Sequence, residues 1–167
     1  MPKRKKERLK GLFGGLPMQR DSLDRIKYIF RHEREIKDAV LEAKTGAGGH
    51  TGGAGGHCHI SDPTPAAAIR RAEEVACVTL QDRNKVFNPE RWLKVVEAVR
   101  AWVSSDVIDN EIFHRVLASP KPQTREEARR RRDRVCEYLH IEKSLYYDRI
   151  PLICIYGIGV ADANGAL

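Results

Sequence analysis

Arg134-Val-Cys-Glu-Tyr-Leu-His140-Ile-Glu-Lys-Ser-Leu-Tyr-Tyr-Asp-Arg-Ile150 decides how this chain is read. Val135 and Leu139 form an i, i+4 apolar pair on one helix, and Tyr146 and Ile150 repeat that spacing on a second. Leu139-His140-Ile141 leaves room between them for a tight turn only. With Ile141 plugging the corner, both apolar stripes face one small core. Glu142, Lys143, Ser144, Tyr147 and Asp148 are then left pointing outward from the N-terminal half of the second helix. This pattern resembles a helix-turn-helix, in which those outward positions reach base edges in the major groove. Two features depart from the ideal. His140 stands where the corner needs a positive φ and usually has glycine. Pro151 is expected to stop the second helix after about two turns, or to kink it. An ordinary helical hairpin in a bundle is the competing reading.

The residues leading into the turn carry dense positive charge. Thr124-Arg125-Glu126-Glu127 has capping-box spacing, which predicts a helix from there to about His140. Arg129 to Arg132 are four consecutive arginines, flanked by Arg125 and Arg134. Four residues cover more than one helical turn, so they cannot all face one partner, and Glu126, Glu127 and Asp133 are on hand as neutralisers. A helix that leads into such a turn crosses the DNA backbone, where arginine binds phosphate in bidentate fashion. The candidate phosphate ligands are therefore Arg125, Arg129, Arg130, Arg131, Arg132 and Arg134.

Working outward, Ser119-Pro120-Lys121-Pro122 breaks the chain before this region. A short helix is expected over 107–118, through Val107, Ile108, Ile112, Phe113, Val116 and Leu117. Another is expected over 89–104, started by Asn88-Pro89 and carrying Trp92, Val95, Val96 and Val99 on its stripe. Thr64-Pro65 opens a predicted helix over 65–84 with Ile69, Ala72, Val75 or Ala76, and Leu80 on one face. Gly fills seven of the twelve positions 45–56, the composition of a flexible linker. One helix is expected from Asp21 to Lys44. Residues 1–19 read as a basic tail, since six of the first ten are Lys or Arg and Gly and Pro follow. Leu152–Val160 is the one stretch with strand-like alternation. The expected organisation is a tail over 1–19, an N-terminal helix over 20–45, a linker over 46–60, a helical core over 61–118, a helix-turn-helix region over 119–156 and a tail over 157–167. The fold class is all-α, a small helical bundle with a C-terminal helix-turn-helix and a flexible Gly-rich linker.

Composition narrows the function classes. The chain has 167 residues, 41% hydrophobic and 32% charged, with a net charge of +7. No apolar run approaches the ~20 residues of a membrane span. Met1–Lys10 is basic but no apolar stretch follows it as in a secretory leader, and four Cys lack the density of a disulfide scaffold. A cytoplasmic protein is expected, with no membrane partner. The basic flanks and nearly neutral middle suit a chain that packs through its centre and meets a polyanion at its ends. The Lys3–Lys10 cluster is suited either to following phosphate as a mobile arm or to serving as a solubilising tail.

Enzyme and metal chemistry find less support. Cys58 between His57 and His59, with His50 nearby, has the donor types zinc prefers. Adjacent residues rarely reach one tetrahedral ion, however, and no second Cys/His pair follows at finger spacing. No metal or cofactor is expected. Cys77 and Cys136 fall in apolar helical patterns and read as core residues. The Gly-rich stretch lacks G-x-x-x-x-G-K-[S/T], and no catalytic carboxylate pair or Ser/His/Asp set is recognisable. No catalytic residues are assigned.

Across residues 60–150 the order of parts resembles the RinA/ArpU-type phage transcriptional regulators. The resemblance is carried by Ser61-Asp62-Pro63-Thr64 with the Ala-rich segment after it, and by Leu139-His140-Ile141 followed by Ser144-Leu145-Tyr146-Tyr147. It implies a C-terminal helix-turn-helix similar to region 4 of a sigma factor, and control of late phage genes at promoter DNA in the bacterial nucleoid. Double-stranded DNA is the implied partner, with RNA polymerase and a second copy of the chain as further ones. Two alternatives stand beside it: a DNA-packaging protein of the terminase small-subunit kind, and a helical interaction module without nucleic acid that uses Trp92, Trp102 and Phe113 as its interface.

Overall fold

The computed structural model describes residues 20–45 and 72–167. The expected basic tail, the Gly-rich linker and the first seven residues of the expected helix over 65–84 lie outside the described residues. In chain order the described elements are α1 (Arg20–Arg31), α2 (Glu33–Thr45), β1 (Cys77–Thr79), β2 (Lys85–Phe87), α3 (Pro89–Val103), α4 (Val107–Ile112) with a π-helical turn over Phe113–Leu117, α5 (Arg125–Leu139) and α6 (Lys143–Ala163). The described residues are all-α apart from one two-stranded sheet.

Four expectations are corrected. The helix over 21–44 is two helices, because the chain bends at His32. Backbone hydrogen bonds continue across the bend, from the His32 N–H to Tyr28 O (3.1 Å) and from the Ile36 N–H to His32 O (2.8 Å). The bend lets α1 pack on α6 while α2 packs on α3 and β1.

The C-terminal half of the helix expected over 65–84 is absent. Cys77–Thr79 instead pairs antiparallel with Lys85–Phe87, in the register Cys77↔Phe87, Val78↔Val86, Thr79↔Lys85. Cys77 is thus a half-buried strand residue. Asp82 organises the turn by accepting from the Asn84 N–H (3.0 Å), and Arg83 takes a left-handed φ of 63°. The turn docks on the α1–α2 bend. The Tyr28 hydroxyl donates to the Asp82 carboxylate (2.9 Å), and the Gln81 N–H donates to Glu35. Burial and the bond to Asp82 push the Tyr28 phenol up to about 12.

The helix over 107–118 is α-helical only to Ile112 and then widens into the π-turn. The largest correction concerns the C-terminus. Pro151 does not stop the second helix of the helix-turn-helix, and Leu152–Val160 is neither strand nor tail. α6 runs for 21 residues, about 31 Å. It ends in a Schellman motif: Gly165, at φ 61°, donates its N–H to Asp162 O (3.0 Å), and Ala166 donates to Ala161 O (2.9 Å). Ala166 is buried, so the expected tail over 157–167 is part of the packed fold.

α6 is the axis of the bundle, with α3 and α1 packed along it. Ile153, Cys154, Gly157 and Ala161 face inward, meeting Trp92, Val95, Val96 and Val99 of α3 and Ile26, Ile29 and Phe30 of α1 in one core. Burying side chains of this size contributes about 1.5–3 kcal/mol each. Trp92 and Phe113 are fully buried, and Trp102 stacks on Tyr156 with centroids 4.5 Å apart. The aromatics that an interaction module would present to a partner are packed within the chain itself.

Candidate nucleic-acid interface

The corner between α5 and α6 is built as the sequence suggests, with one unfavourable residue in the decisive place. Thr124 caps α5 by accepting the Glu127 N–H at 3.1 Å. Glu127 reaches back to the Gln123 N–H at 2.8 Å, one residue beyond the usual reciprocal partner. At the other end His140 takes φ 52°, ψ 42°. Its N–H donates to Glu137 O (3.2 Å) and the Ile141 N–H donates to Cys136 O (3.0 Å), a second Schellman motif. Ile141 folds back into the core beside buried Val135 and Cys136. Glu142 is extended at φ −73°, ψ 151°, and α6 begins at the next residue.

A left-handed conformation costs a residue with a Cβ about 1–3 kcal/mol, against the up to ~1 kcal/mol of extra chain entropy that glycine loses on folding. The His140 side chain is exposed and makes no hydrogen bond or ion pair among the described residues. His140→Gly is therefore expected to stabilise the protein by about 0.5–1 kcal/mol, read as a rise in Tm of a few degrees. An unchanged or lower Tm would mean that the corner is not held in this conformation.

The helix-turn-helix stripes converge. Val135 and Tyr146 are buried, and Leu139, Ile141 and Ile150 are half-buried against the same core. Opposite them Glu142, Lys143, Ser144 and Tyr147 are exposed, Tyr147 by 52%, while Asp148 is half-buried. Desolvation lifts the Tyr146 phenol to about 12. The exposed edge is not an unconnected row of side chains. Arg132 donates through Nη1 to the Tyr147 hydroxyl (2.9 Å) and through Nε to Asp133 (2.9 Å). Asp133 also receives the Lys143 ammonium at 3.3 Å. Lys143, Asp133, Arg132 and Tyr147 thus form one chain of contacts across the corner. The hydrogen bond from Arg132 leads those that hold the Asp133 carboxyl below its usual range.

The six arginines divide. Arg125 and Arg129 are exposed and make no ion pair among the described residues. Arg130 pairs with Glu126 one turn earlier, and exposed Arg134 donates weakly to Arg130 O (3.4 Å). Arg131 turns inward to donate to Pro120 O (2.7 Å), and Arg132 faces α6. The run therefore points in several directions, as its spacing requires.

A part-buried ion cluster fixes the N-terminal half of α6, and sequence reading missed it. Arg149 donates to Asp109 on α4 (3.0 Å) and to Asp106 (3.5 Å). Asp106 caps α4 by accepting from the Ile108 and Asp109 N–H groups. Asp109 is 3% exposed, and its other carboxylate oxygen has no hydrogen-bond partner among the described residues. Burial pushes its carboxyl up, Arg149 opposes this, and the Asp106 charge adds to the rise. The signal was present in Ser104-Ser-Asp106, a helix cap, but nothing local pairs it with an arginine 43 residues on.

His50, His57, Cys58 and His59 lie outside the described residues. Among the described residues no group of His, Cys, Asp and Glu is arranged to hold a metal ion, and no helix is long and apolar enough to cross a membrane. No family model, curated protein or solved structure matches the chain.

Proposed function

We propose that the protein is a sequence-specific DNA-binding transcriptional regulator that places the N-terminal half of α6 in the major groove. This is the role implied by its resemblance to the RinA/ArpU-type phage regulators, acting at late-gene promoters. The observation that carries the reading is the left-handed His140 corner, with exposed Glu142, Lys143, Ser144 and Tyr147 at the start of the helix that follows it. Among the described residues Arg125 and Arg129 have no acidic partner, which favours them as phosphate ligands on the helix that leads into the turn. Inward-facing Arg131 is the least suited of the six to that role.

Anisotropy titrations of labelled duplexes over a range of salt concentrations test this. Affinity falls steeply with salt, each phosphate contact contributing about −0.9 to the slope of log affinity against log salt. Replacing Arg125 and Arg129 by alanine lowers affinity for every duplex alike and flattens the slope. Lys143→Ala costs about 1–3 kcal/mol on a preferred duplex and spares unrelated ones. Absence of duplex binding at low salt refutes the reading, and equal losses on all duplexes for both kinds of variant refute base reading by α6.

A further inference from the structure

Tyr147 is held in a way that determines what it can do at a base edge. Its hydroxyl accepts an N–H from Arg132 at 2.9 Å, and the Arg132 guanidinium lies 5.9 Å from its ring centroid. A guanidinium has donors and no acceptor, so in this bond the phenol oxygen is the acceptor. The phenol's own proton is left to be directed away from Arg132. Arg132 is in turn fixed by Asp133, which takes both Nε (2.9 Å) and Nη2 (2.7 Å). Its side chain is only 16% exposed, on a run whose neighbours Arg129 and Arg130 reach solvent.

We propose that Arg132 is a positioning residue, not a phosphate ligand, and that it orients Tyr147 as a hydrogen-bond donor toward a base presenting an acceptor in the major groove. The acceptors of that description are N7 and O6 of guanine, N7 of adenine and O4 of thymine. The proposal rests on the reading of the α6 edge given above and assigns it a chemical preference. The shared carboxylate of Asp133 couples the second reader to the first, because it also receives Lys143. Arg132 is thereby removed from the set of six candidate phosphate ligands.

The test begins with selection of bound duplexes from a randomised pool by the full chain. Binding of Tyr147→Phe, Arg132→Gln, Arg132→Lys and the double variant Tyr147→Phe/Arg132→Gln is then measured. Three duplexes are used: the preferred one, the same duplex with single base pairs replaced, and an unrelated one. Tyr147→Phe and Arg132→Gln are each expected to lower preferred-site affinity about five- to tenfold. Both flatten the preference at the same base pair, leave unrelated duplexes within about twofold, and keep the salt slope. The double variant loses no more than either single one, and Arg132→Lys, which keeps a donor, recovers part of the loss. Thermal melting verifies that exposed-site Tyr147→Phe leaves the fold intact.

Uniform loss on all duplexes by Arg132→Gln, with a slope smaller by about 0.9, makes Arg132 a phosphate ligand and overturns the proposal while leaving the DNA reading standing. So does a change of preference at a different base pair from that affected by Tyr147→Phe. Failure of the unaltered chain to bind any duplex overturns both.

Discussion

Arg149→Leu is expected to destabilise the protein by about 3 kcal/mol at pH 7, because it strands a carboxylate in the core. Asp109 is nearly fully buried, and its only hydrogen-bond partners for the carboxylate among the described residues come from the Arg149 guanidinium. Breaking a buried pair by removing one partner costs about 3–5 kcal/mol, since the remaining charge has been taken out of water without compensation. The lower end is appropriate here because the Arg149 side chain keeps 29% exposure. The effect carries a pH signature. Burial already raises the Asp109 carboxyl in the folded protein, and loss of Arg149 raises it further. A carboxyl whose folded value lies above its unfolded one makes stability fall as pH rises from the unfolded value to the folded one, then level off. The penalty of Arg149→Leu is therefore largest near neutrality and shrinks as pH drops toward the ordinary carboxylate range. Denaturant unfolding of both proteins across that range checks it. A penalty independent of pH would mean that Asp109 is not the source.

Gly157→Val is expected to cost a similar amount, about 3 kcal/mol, for a different reason. A Cβ at Gly157 would stand 3.1 Å from Ile26 Cγ1 and from Phe30 Cζ, and 3.3 Å from Ile26 Cδ1. Neither neighbour has room to retreat. Ile26 and Phe30 are fully buried, and the Phe30 ring is set edge-on against Phe113 at 5.1 Å. Overpacking a filled core costs about 1–3 kcal/mol, and valine's two further methyl groups put this site at the upper end. Gly157→Ala is the control. It gains about 1 kcal/mol of helix propensity over glycine and spends a comparable amount on the single close methyl, so its stability stays within about 1 kcal/mol of the parent. Equal stability of the valine variant would show that α1 does not lie against α6 at this point.

These two sites explain why the end of the chain was the hardest part to read. Ile153 to Val160 places β-branched residues around Gly157 and Gly159 and has no polar face, so periodicity cannot separate a strand from a helix buried on several sides. Packing decides it: Gly157, a poor helix former, is what allows α1 to approach. Pro151 misled for a related reason, since the tertiary contacts of α6 outweigh the hydrogen bond that Tyr147 O loses. The hairpin was masked by apolar residues at 72, 75 and 80 that fit a helical face. Each strand is three residues long, too short for alternation to register against that fit.

The helix-turn-helix corner was legible because its determinants are local. A cap at Thr124, the i, i+4 pairs and the Ile141 plug all act within a few residues of one another. The outward placement of Glu142, Lys143, Ser144 and Tyr147 followed from those pairs. What linked them was not legible, because the contacts of Arg132 and Asp133 depend on how the two helices cross. The continuity of α6 also revises the idea of a separate recognition unit. The edge at 143–148 and the core at 153–161 belong to one helix, which Arg149 ties to Asp109 of α4.

If this edge of α6 meets duplex DNA, amide hydrogen exchange measured with and without a selected duplex registers the contact. Slowed exchange is expected over residues 140–148 and near Arg125–Arg129, with the hairpin Cys77–Phe87 unchanged. Protection confined to the hairpin or to α2, with the His140 corner unaffected, would contradict it.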